Sequence, residues 1–497
     1  MRLTGRFSHR GVVCLAAILF AAASSSRAAD TCAAAATSDP AAATAQLLLD
    51  ALIAINGVPG MGAAVYHEGK VAWTGCAGLR DIAAHKPVRR DTVFRLASVS
   101  KAVTAVAVAR LSEQGKLDLD APVKTMLPWL VNDWPAISVR QLAAHLSGLP
   151  HYQAGDENRG KVHYETSRAA AAVFSNRALL SAPGTAYSYS SWGYTLMGAV
   201  IEARSGQHFL DYLRSEVTTD LPIGADPDGR RTDASRLYTM DAGTARELPP
   251  HDFSYTWPGG GLAATPEALV RFGARVLDGS IVAPSTWQSM LQPTLLTSGV
   301  AAAESDYRVA LGWRVAQDAD GARIAHHAGV TEGARSALLL WPEQGTVAAV
   351  LSNASWVSSI VTTAAVLAAP FRPRPGLTKA ECPRDSRRYR GKLGEQTLGG
   401  EVTFRLEAGR CVGTLLPDTA LEKHFASATA WPAHRLDIIA LDVDGRLDRA
   451  ALVTPFGLYE LRADTSDGWS AMLGTRPLQL KFRGAADGRR AKAQSSR

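Results

Sequence analysis

The sequence predicts an α+β fold, in which an antiparallel sheet is flanked by helices, with an all-α subdomain and a small all-β C-terminal domain. Two strand candidates, 61–66 and 71–75, form a hairpin near the start of the chain. Four more follow residue 300, and the residues between the two groups are helical in pattern. One antiparallel sheet built from both ends of this region explains that order. The four later candidates are 309–315, 322–328, 336–341 and 347–352.

The last part of the chain differs in pattern from the part before it. Three prolines mark a linker over 370–382, and short alternating segments then run over 383–483 without a buried-helix pattern. This pattern predicts a small β-rich domain, a barrel or a sandwich. The last strands and closing helix of the first domain, 44–369, precede the linker, so we expect that domain to fold without the second. Residues 484–497 are predicted to be a disordered basic tail.

Residues 1–28 have the pattern of a secretory signal peptide. Three arginines within the first ten residues precede an apolar core, 11–23, that is too short to span a membrane as a helix. Ser26-Arg27-Ala28 fits the small-residue rule for cleavage after Ala28. We therefore expect a periplasmic or secreted protein without stable membrane insertion, whose mature chain begins with a flexible stretch, 29–43.

Charge and composition describe an ordinary globular protein. The 497 residues are 46% hydrophobic and 20% charged, with a net charge of +7. Four of these seven charges lie in residues 1–28 and three lie after Arg483, so the part between them is neutral. The basic balance is therefore no argument for nucleic-acid binding, and we expect no nucleic-acid partner. The sequence leaves the oligomeric state open.

Removal of residues 1–28 leaves four cysteines. In an oxidising compartment four cysteines pair in three ways, and we favour Cys382 with Cys411 because both lie in the C-terminal domain. Cys32 and Cys76 complete the set, and buried free thiols remain the alternative. The spacings do not resemble a Cys-x-x-Cys metal site.

The helices of the first domain are predicted from apolar periodicity and stop signals. Residues 44–56 present a broad apolar face before Gly57 ends the helix. Residues 151–183 are polar and then helical, as expected of an insertion over a cleft. The run of three glycines at 259–261 predicts a loop whose backbone approaches another part of the molecule closely. Further predicted helices are 139–145, 193–204, 266–277 and 356–369.

Ser98 and Lys101 lie three residues apart at the start of a predicted helix that is apolar on nearly every side and ends at Gly115. The spacing places both side chains on one face of the first turn. Such a helix is buried, and burial lowers the pKa of a lysine, so Lys101 can take the Ser98 proton. Ser-x-x-Lys alone is a weak signal, and an N-cap role for Ser98 is the alternative.

Two later motifs strengthen the catalytic interpretation. Tyr189-Ser190-Ser191 lies between a Pro-Gly turn and a helix start, and His327-Ala328-Gly329 lies at the end of a predicted strand. Separately, Tyr189 could be a core aromatic and His327 a histidine with only structural hydrogen bonds. The order and spacing of the three motifs together indicate a nucleophilic serine site.

The three motifs together resemble those of the serine β-lactamase and penicillin-binding-protein superfamily, in its class C-like, S12-type branch. Residues 145–152 and 254–261 are most similar to the LACTB-like β-lactamase-like serine proteases of that branch. The resemblance covers 44–369 and implies a β-lactamase/transpeptidase-like fold; 377–483 lie outside it. The resembling segments are 94–101, 115–120, 145–149, 183–184, 189–194, 259–261 and 327–329.

The resemblance implies a role for each matched residue. Ser98 is the nucleophile and Lys101 deprotonates it. Tyr189 shares protons with Ser98 and the leaving group, and His327 hydrogen-bonds Tyr189 or a substrate carboxylate. No metal or organic cofactor is needed.

Three further residues are implied to contact substrate. Ser191 replaces an asparagine that is common in the family. Gly329 leaves room for substrate along the strand edge, and the N–H of Val330 forms an oxyanion hole with that of Ser98.

The expected function is that of an exported serine hydrolase that forms an acyl-enzyme on a peptide, a D-amino-acid peptide or an ester. Hydrolysis of β-lactams belongs to the same chemistry, but Ser191 and the neutral His327, in place of a lysine, weaken it. The alternative is a slowly acylating penicillin-binding sensor or scaffold, whose C-terminal domain makes the functional contacts.

Overall fold

The structure is a computed structural model that describes residues 39–484, except 131–132, 157, 227–230, 242–243, 373–379, 429 and 465–467. The predicted signal peptide, the residues up to 38, most of the linker and the tail after Gly484 lie outside the described residues. Within the described residues, no helix is both long enough and apolar enough to cross a membrane.

Strands occur at both ends of the first unit, residues 39–372. They are β1 (Gly60–His67), β2 (Lys70–Asp81), β3 (Lys86–Pro87), β4 (Phe94–Arg95), β5 (Ile223–Ala225), β6 (Tyr238–Asp241), β7 (Thr244–Glu247), β8 (Leu262–Ala264), β9 (Ala303–Glu304), β10 (Tyr307–Val309), β11 (Arg314–Gln317), β12 (Arg323–Thr331), β13 (Ala334–Trp341) and β14 (Thr346–Ser352).

The α-helices of this unit lie mostly between the two groups of strands. They are α1 (Pro40–Asn56), α2 (Ser100–Glu113), α3 (Val123–Met126), α4 (Val139–Ala143), α5 (Ser167–Ala171), α6 (Ser191–Ser205), α7 (Phe209–Tyr212), α8 (Pro266–Leu277), α9 (Pro284–Met290) and α10 (Ile360–Ala368).

The main sheet joins the two ends of this unit, which confirms the α+β prediction. In the described residues it has nine strands in the order β3-β2-β1-β14-β13-β12-β11-β10-β9, and its paired strands are antiparallel. Helices α1 and α10 cover one face and α8 covers the other. Helices α2, α4 and α5 pack around α6 in the helical subdomain, where Trp192 and Tyr194 are fully buried.

The first helix begins at Pro40, four residues before the predicted start. The side chain of Asp39 caps it by accepting a hydrogen bond from the N–H of Ala41, and proline is favoured at the first helical position. Residues 40–43 are therefore helical and not part of a flexible stretch. The Asp-Pro pair was the sequence signal for this start.

Two strand predictions need correction at the end of the sheet beside α2. The predicted strand 309–315 is two strands, β10 and β11, joined by a turn at Gly312. Gly312 has a φ of 75°, and a Cβ there would lie 2.2 Å from that of Ala105 in α2, so only glycine fits. Strand β12 continues beyond the predicted end at residue 328, so His327 and Gly329 lie inside a strand.

The C-terminal residues form a closed barrel, which confirms the prediction of a small all-β domain. The barrel strands in the described part are β15 (Ser386–Leu393), β16 (Gln396–Glu407), β17 (Arg410–Leu415), β18 (Leu436–Ala440), β19 (Arg449–Thr454), β20 (Gly457–Ala463), β21 (Gly468–Leu473) and β22 (Arg476–Gly484). One short helix, α11 (Thr419–His424), was not predicted. Phe404, Trp469 and Phe482 fill the interior, as expected of a small barrel.

A disulfide joins Cys382 to Cys411, which confirms the favoured pairing. It links the segment before β15 to β17. Cys76 is also disulfide-bonded.

The barrel and the first unit share a hydrophobic core. Apolar side chains of β17–β20 pack with α1 and α10, and two hydrogen bonds cross the same boundary, from the N–H of Leu458 to Thr363 Oγ1 at 3.0 Å and from the N–H of Ser359 to the carbonyl of Phe456 at 2.9 Å. The barrel residues of this core are Val412, Ile439, Leu441, Ala451, Val453 and Leu458. The main sheet includes no strand of the barrel. The outer face of the layer formed by α1 and α10, however, is covered by the barrel.

We therefore expect a chain that ends at residue 376 to be much less stable than the full chain. Removal of the six barrel side chains of the shared core costs about 1 kcal/mol or more for each. Their sum is comparable to the net stability of a domain, about 5–15 kcal/mol. Circular dichroism should show a lower melting temperature, and binding of a hydrophobic dye should reveal exposed apolar surface. An unchanged melting temperature without dye binding would restore the original expectation of independent folding.

Candidate active site

Ser98 lies in a tight turn just before α2. Residues Ala97–Val99 form a 3₁₀-helix, so α2 begins at Ser100 and not at Ser98 as predicted. Ala97 has a φ of 46°, a left-handed conformation that costs a non-glycine residue free energy and occurs preferentially at functional sites. Ser98 is half-buried, whereas Ser100 is fully buried and donates its hydroxyl to the carbonyl of Ala97 at 2.7 Å. Of these two serines, only Ser98 therefore has an accessible side chain.

Lys101 is fully buried beneath Ser98. Its Nζ donates to Ser98 Oγ at 3.3 Å, to Ser191 Oγ at 2.9 Å and to the carbonyl of Gly259. Burial lowers the pKa of Lys101, and Tyr189 opposes this shift by its charge and by a hydrogen bond, while the charge of Arg314 adds to it. Lys101 is therefore poised to take a proton from Ser98.

The glycine-rich loop supplies a backbone acceptor for Lys101. A Cβ at Gly259 would lie 2.8 Å from Thr256 Oγ1 and 3.0 Å from the carbonyl oxygen of Ser191, so glycine is required for the approach. One turn after Lys101, Thr104 Oγ1 donates to the carbonyl of Pro258 at 2.8 Å. The close backbone approach predicted for this loop is thus present.

Tyr189 lies beside the lysine. The Nζ atom of Lys101 is 4.9 Å from the centroid of the Tyr189 ring. The centroid of the same ring is 4.3 Å from that of the His145 ring. Tyr189 immediately precedes α6, whose N-cap is Ser190; the side chain of Ser190 accepts from the N–H of Gly193.

Two histidines accept hydrogen bonds from the backbone that follows Tyr189. His145 Nδ1 accepts the N–H of Ser190 at 3.1 Å, and His151 Nδ1 accepts that of Ser191 at 3.2 Å. Burial is the main cause that lowers both pKa values, to about 4 for His151 and well below the usual range for His145. Both rings are therefore neutral at pH 7 and can act as acceptors. Both histidines lie in the segment 145–152, and no local sequence pattern indicates this role for them.

His327 lies in β12 and is 2% exposed. Its Nδ1 is 2.8 Å from the carbonyl oxygen of Ala328, which only accepts, so Nδ1 carries the proton. Burial, with a smaller contribution from Arg314, lowers its pKa well below the usual range. In the described structure no hydrogen bond joins His327 to Tyr189, one of the two partners expected for it.

Gly329 brings β12 against the backbone of Ser98. A Cβ at this position would lie 2.4 Å from the carbonyl oxygen of Leu96 and 3.0 Å from the backbone nitrogen of Ser98. Strand β11 pairs only with β12 residues up to His326, so among the described residues the outer edge of 327–331 has no strand partner. Val330, which is half-exposed, follows on this edge. The predicted residues of the β12 motif thus lie beside Ser98.

Arg314 is a charged group that the sequence analysis did not predict. It lines a pocket with His145 and His327, and its guanidinium is 4.8 Å from the centroid of the Tyr307 ring. No local motif marks it, because it reaches the site only through the pairing of β11 with β12.

We expect Arg314→Gln to shift the acid limb of the pH–activity profile to higher pH. Arg314 contributes to the lowered pKa of Lys101, so removal of its charge raises that pKa, and the neutral lysine is then populated only at higher pH. The profile of kcat/KM between pH 5 and pH 10 measures this shift. Arg308→Gln, at an exposed position of β10, is the matched control and should leave the limb in place. An acid limb at the same pH in Arg314→Gln would contradict the effect of Arg314 on the pKa of Lys101.

Comparisons with known proteins identify the family. A sequence profile described as Beta-lactamase matches residues 45–367. The chain is similar to the serine beta-lactamase-like protein LACTB of Homo sapiens, with 26% identity over 58% of this chain and 70% of that protein. It is also similar to the esterase EstB of Burkholderia gladioli, with 33% identity over 33% of this chain and 46% of that protein.

Solved structures share the fold. The D-stereospecific amidohydrolase of a Streptomyces species matches 63% of this chain and 95% of its own, with a TM-score of 0.53 and 24% identity. The octameric penicillin-binding protein homologue of Pyrococcus abyssi matches 85% of this chain and 96% of its own, with a TM-score of 0.54 and 18% identity. That share exceeds residues 39–372, so the match extends into the barrel. The profile match spans well over half of the chain, and with this fold and site the protein belongs to the Beta-lactamase family.

Proposed function

We propose that the protein is an exported serine hydrolase that works through an acyl-enzyme on Ser98. Lys101 takes the hydroxyl proton as Ser98 Oγ attacks the substrate carbonyl, and a tetrahedral oxyanion forms. The proton passes through Lys101 and Tyr189 to the leaving group as the bond to the carbonyl carbon breaks. Water then attacks the ester, and the acid product and the free Ser98 hydroxyl are released. The N–H groups of Ser98 and Val330 are the proposed oxyanion donors.

The contact between Lys101 and Ser98 carries this proposal. A fully buried amine whose pKa is lowered by burial, 3.3 Å from a half-buried hydroxyl, is the arrangement that activates a serine. A structural lysine of this kind would be expected to have a carboxylate partner. Here its hydrogen-bond partners among the described residues are three hydroxyl groups, one of them on Tyr189, and one carbonyl. None of them is a carboxylate, so the lysine need not stay charged.

The open edge of β12 favours an extended substrate. A peptide laid along residues 327–331 can add a strand to the sheet, which places a carbonyl beside Ser98. Peptides, D-amino-acid peptides and small esters are therefore the proposed substrates. The similar proteins include an esterase and a D-stereospecific amidohydrolase, which supports this range of substrates.

Efficient β-lactam hydrolysis is a weaker candidate. A penicillin carries a carboxylate, and the buried, neutral His327 offers it no positive charge. Ser191 donates or accepts through a single hydroxyl, which Lys101 already contacts, and supplies no amide group for a substrate carbonyl.

A substrate panel tests the proposal. We expect a fluorophosphonate to label the full chain covalently, with turnover of a p-nitrophenyl ester or of a D-phenylalanine amide. Ser98→Ala is the matched blank for every substrate. A stoichiometric burst with a fluorescent penicillin, but no turnover of any substrate, would instead support a slowly acylating sensor.

Export is part of the same proposal. The signal-like pattern of residues 1–28 supports it, and so does the Cys382–Cys411 disulfide, because disulfides persist in oxidising compartments. Intact-mass analysis of protein from the periplasm or medium should find a chain that starts at Ala29. Recovery only of the full-length chain from the cytoplasm would contradict export.

A further inference from the structure

An open cleft lies between the first unit and the barrel. The first unit contributes Arg335 from β13 together with Ser355, Trp356 and Ser358 from the segment after β14, and the barrel contributes Ser427 and Phe456. None of the site residues described above lines it. The proposed hydrolase mechanism leaves this cleft without a role.

Arg335 differs from two arginines that lie buried in the described structure. Arg95 and Arg372 each contact a buried aspartate, Asp226 and Asp318. Arg335 is half-buried and has no ion pair in the described part of the chain; its Nε donates to the carbonyl of Ser355 at 2.7 Å. A cation held partly out of water without a carboxylate is costly, so a negative partner from outside would stabilise it.

The hydrogen bond of Nε leaves the terminal nitrogens of Arg335 free to bind a ligand. A guanidinium binds a carboxylate through two parallel hydrogen bonds. A single cation matches a single negative charge, so a monocarboxylate suits the cleft better than a phosphate dianion. The exposed hydroxyls of Ser358 and Ser427 offer further donors.

The walls of the cleft indicate the rest of the ligand. Trp356 is 9% exposed, and the half-buried Phe456 comes from the barrel, where its ring is 5.1 Å from that of Phe425. Aromatic walls beside a polar anchor are typical of sites for ligands with an apolar body and one charged group. Because one wall belongs to each unit, the barrel is needed to complete the cleft.

We propose that this cleft is a second, non-covalent binding site for a monocarboxylate that carries an apolar or aromatic group. Arg335 binds the carboxylate in a bidentate manner, and the apolar group lies between Trp356 and Phe456. An N-acylated aromatic amino acid has this chemistry. The site is independent of acylation at Ser98.

Titration calorimetry on the full chain with Ser98→Ala, which removes covalent chemistry, tests the site. We expect N-acetylphenylalanine to bind with one-to-one saturation and its neutral amide to bind at least about tenfold more weakly. Arg335→Gln in the same background should weaken binding of the carboxylate at least about tenfold, and Phe456→Ala should weaken it as well. The matched control Arg308→Gln, at an exposed position outside the cleft, should leave the affinity unchanged.

Three outcomes would overturn the proposal. They are equal affinity in Arg335→Gln, no saturable binding, and tighter binding of inorganic phosphate than of the carboxylate. If Arg335→Gln does not fold, Arg335→Lys is the second variant, which keeps the charge but lacks the paired N–H groups of a guanidinium. Unchanged affinity in that variant would contradict bidentate binding. None of these measurements requires acylation. A result against this binding site would therefore not bear on the proposed hydrolase activity.

Discussion

Replacement of Ser98 by alanine should abolish covalent labelling and lower turnover at least about a thousandfold. Ser98 is the half-buried serine in the turn just before α2, and Lys101 Nζ lies 3.3 Å from its hydroxyl. Without the hydroxyl, neither the acyl-enzyme nor the proton transfer to Lys101 can occur. The fold should be retained, because in the described structure Lys101 is the hydrogen-bond partner of the Ser98 side chain and keeps two other acceptors.

Intact-mass analysis after reaction with a fluorophosphonate measures this effect. Ser100→Ala is the matched control, two residues later in the same segment. Ser100 Oγ donates to the carbonyl of Ala97 and accepts the N–H of Leu262 at 3.1 Å, so its loss should cost about 1–2 kcal/mol of stability but leave labelling intact. Full labelling of Ser98→Ala would show that another residue is the nucleophile.

Replacement of Lys101 by methionine should lower turnover by about a hundredfold to ten-thousandfold, the usual effect of losing a general base. Methionine fills a similar volume without an amine. The variant should still fold, because removal of a buried amine offsets the loss of its hydrogen bonds to Ser191 and Gly259. Single-turnover kinetics of acylation, measured with an ester, report this step directly.

Thr104→Val is the control for the lysine variant. Thr104 is buried in the same helix, three residues after Lys101, and donates to the same glycine-rich loop, at Pro258, but makes no contact with Ser98. A loss of acylation confined to Lys101→Met would identify the amine as the base. Equal losses in both variants would mean that the loop position, and not the amine, limits the rate.

Short-range patterns determined much of the fold. Apolar periodicity located the hairpin of β1 and β2 and the helix α8, whose predicted bounds match the structure. These patterns succeed because the side chains that share one face of a helix or strand are only a few positions apart in the sequence. The predicted strand 309–315 was wrong at Gly312 because the position of that turn depends on its packing against α2.

For the candidate active site, too, local sequence patterns predicted one part and long-range contacts determined the rest. The three-residue spacing of Ser98 and Lys101 is local, so the sequence was sufficient to place them together. The other acceptors of Lys101, Ser191 and Gly259, come from positions 90 and 158 residues away in the chain. The charge of Arg314 reaches the site through sheet pairing, which no local pattern encodes.

The sequence by itself predicted the chemical type of the site, because the proposed nucleophile, its proposed base and the two later motifs are each read from adjacent residues. Only the tertiary structure decided how the two units meet. Apolar periodicity marks the buried positions of α1 and α10, but it does not say which element covers their outer faces. Packing against β17–β20 made them a shared core and brought Phe456 and Arg335 into one cleft. Such contacts join residues far apart in the chain, so they exist only once the chain has folded.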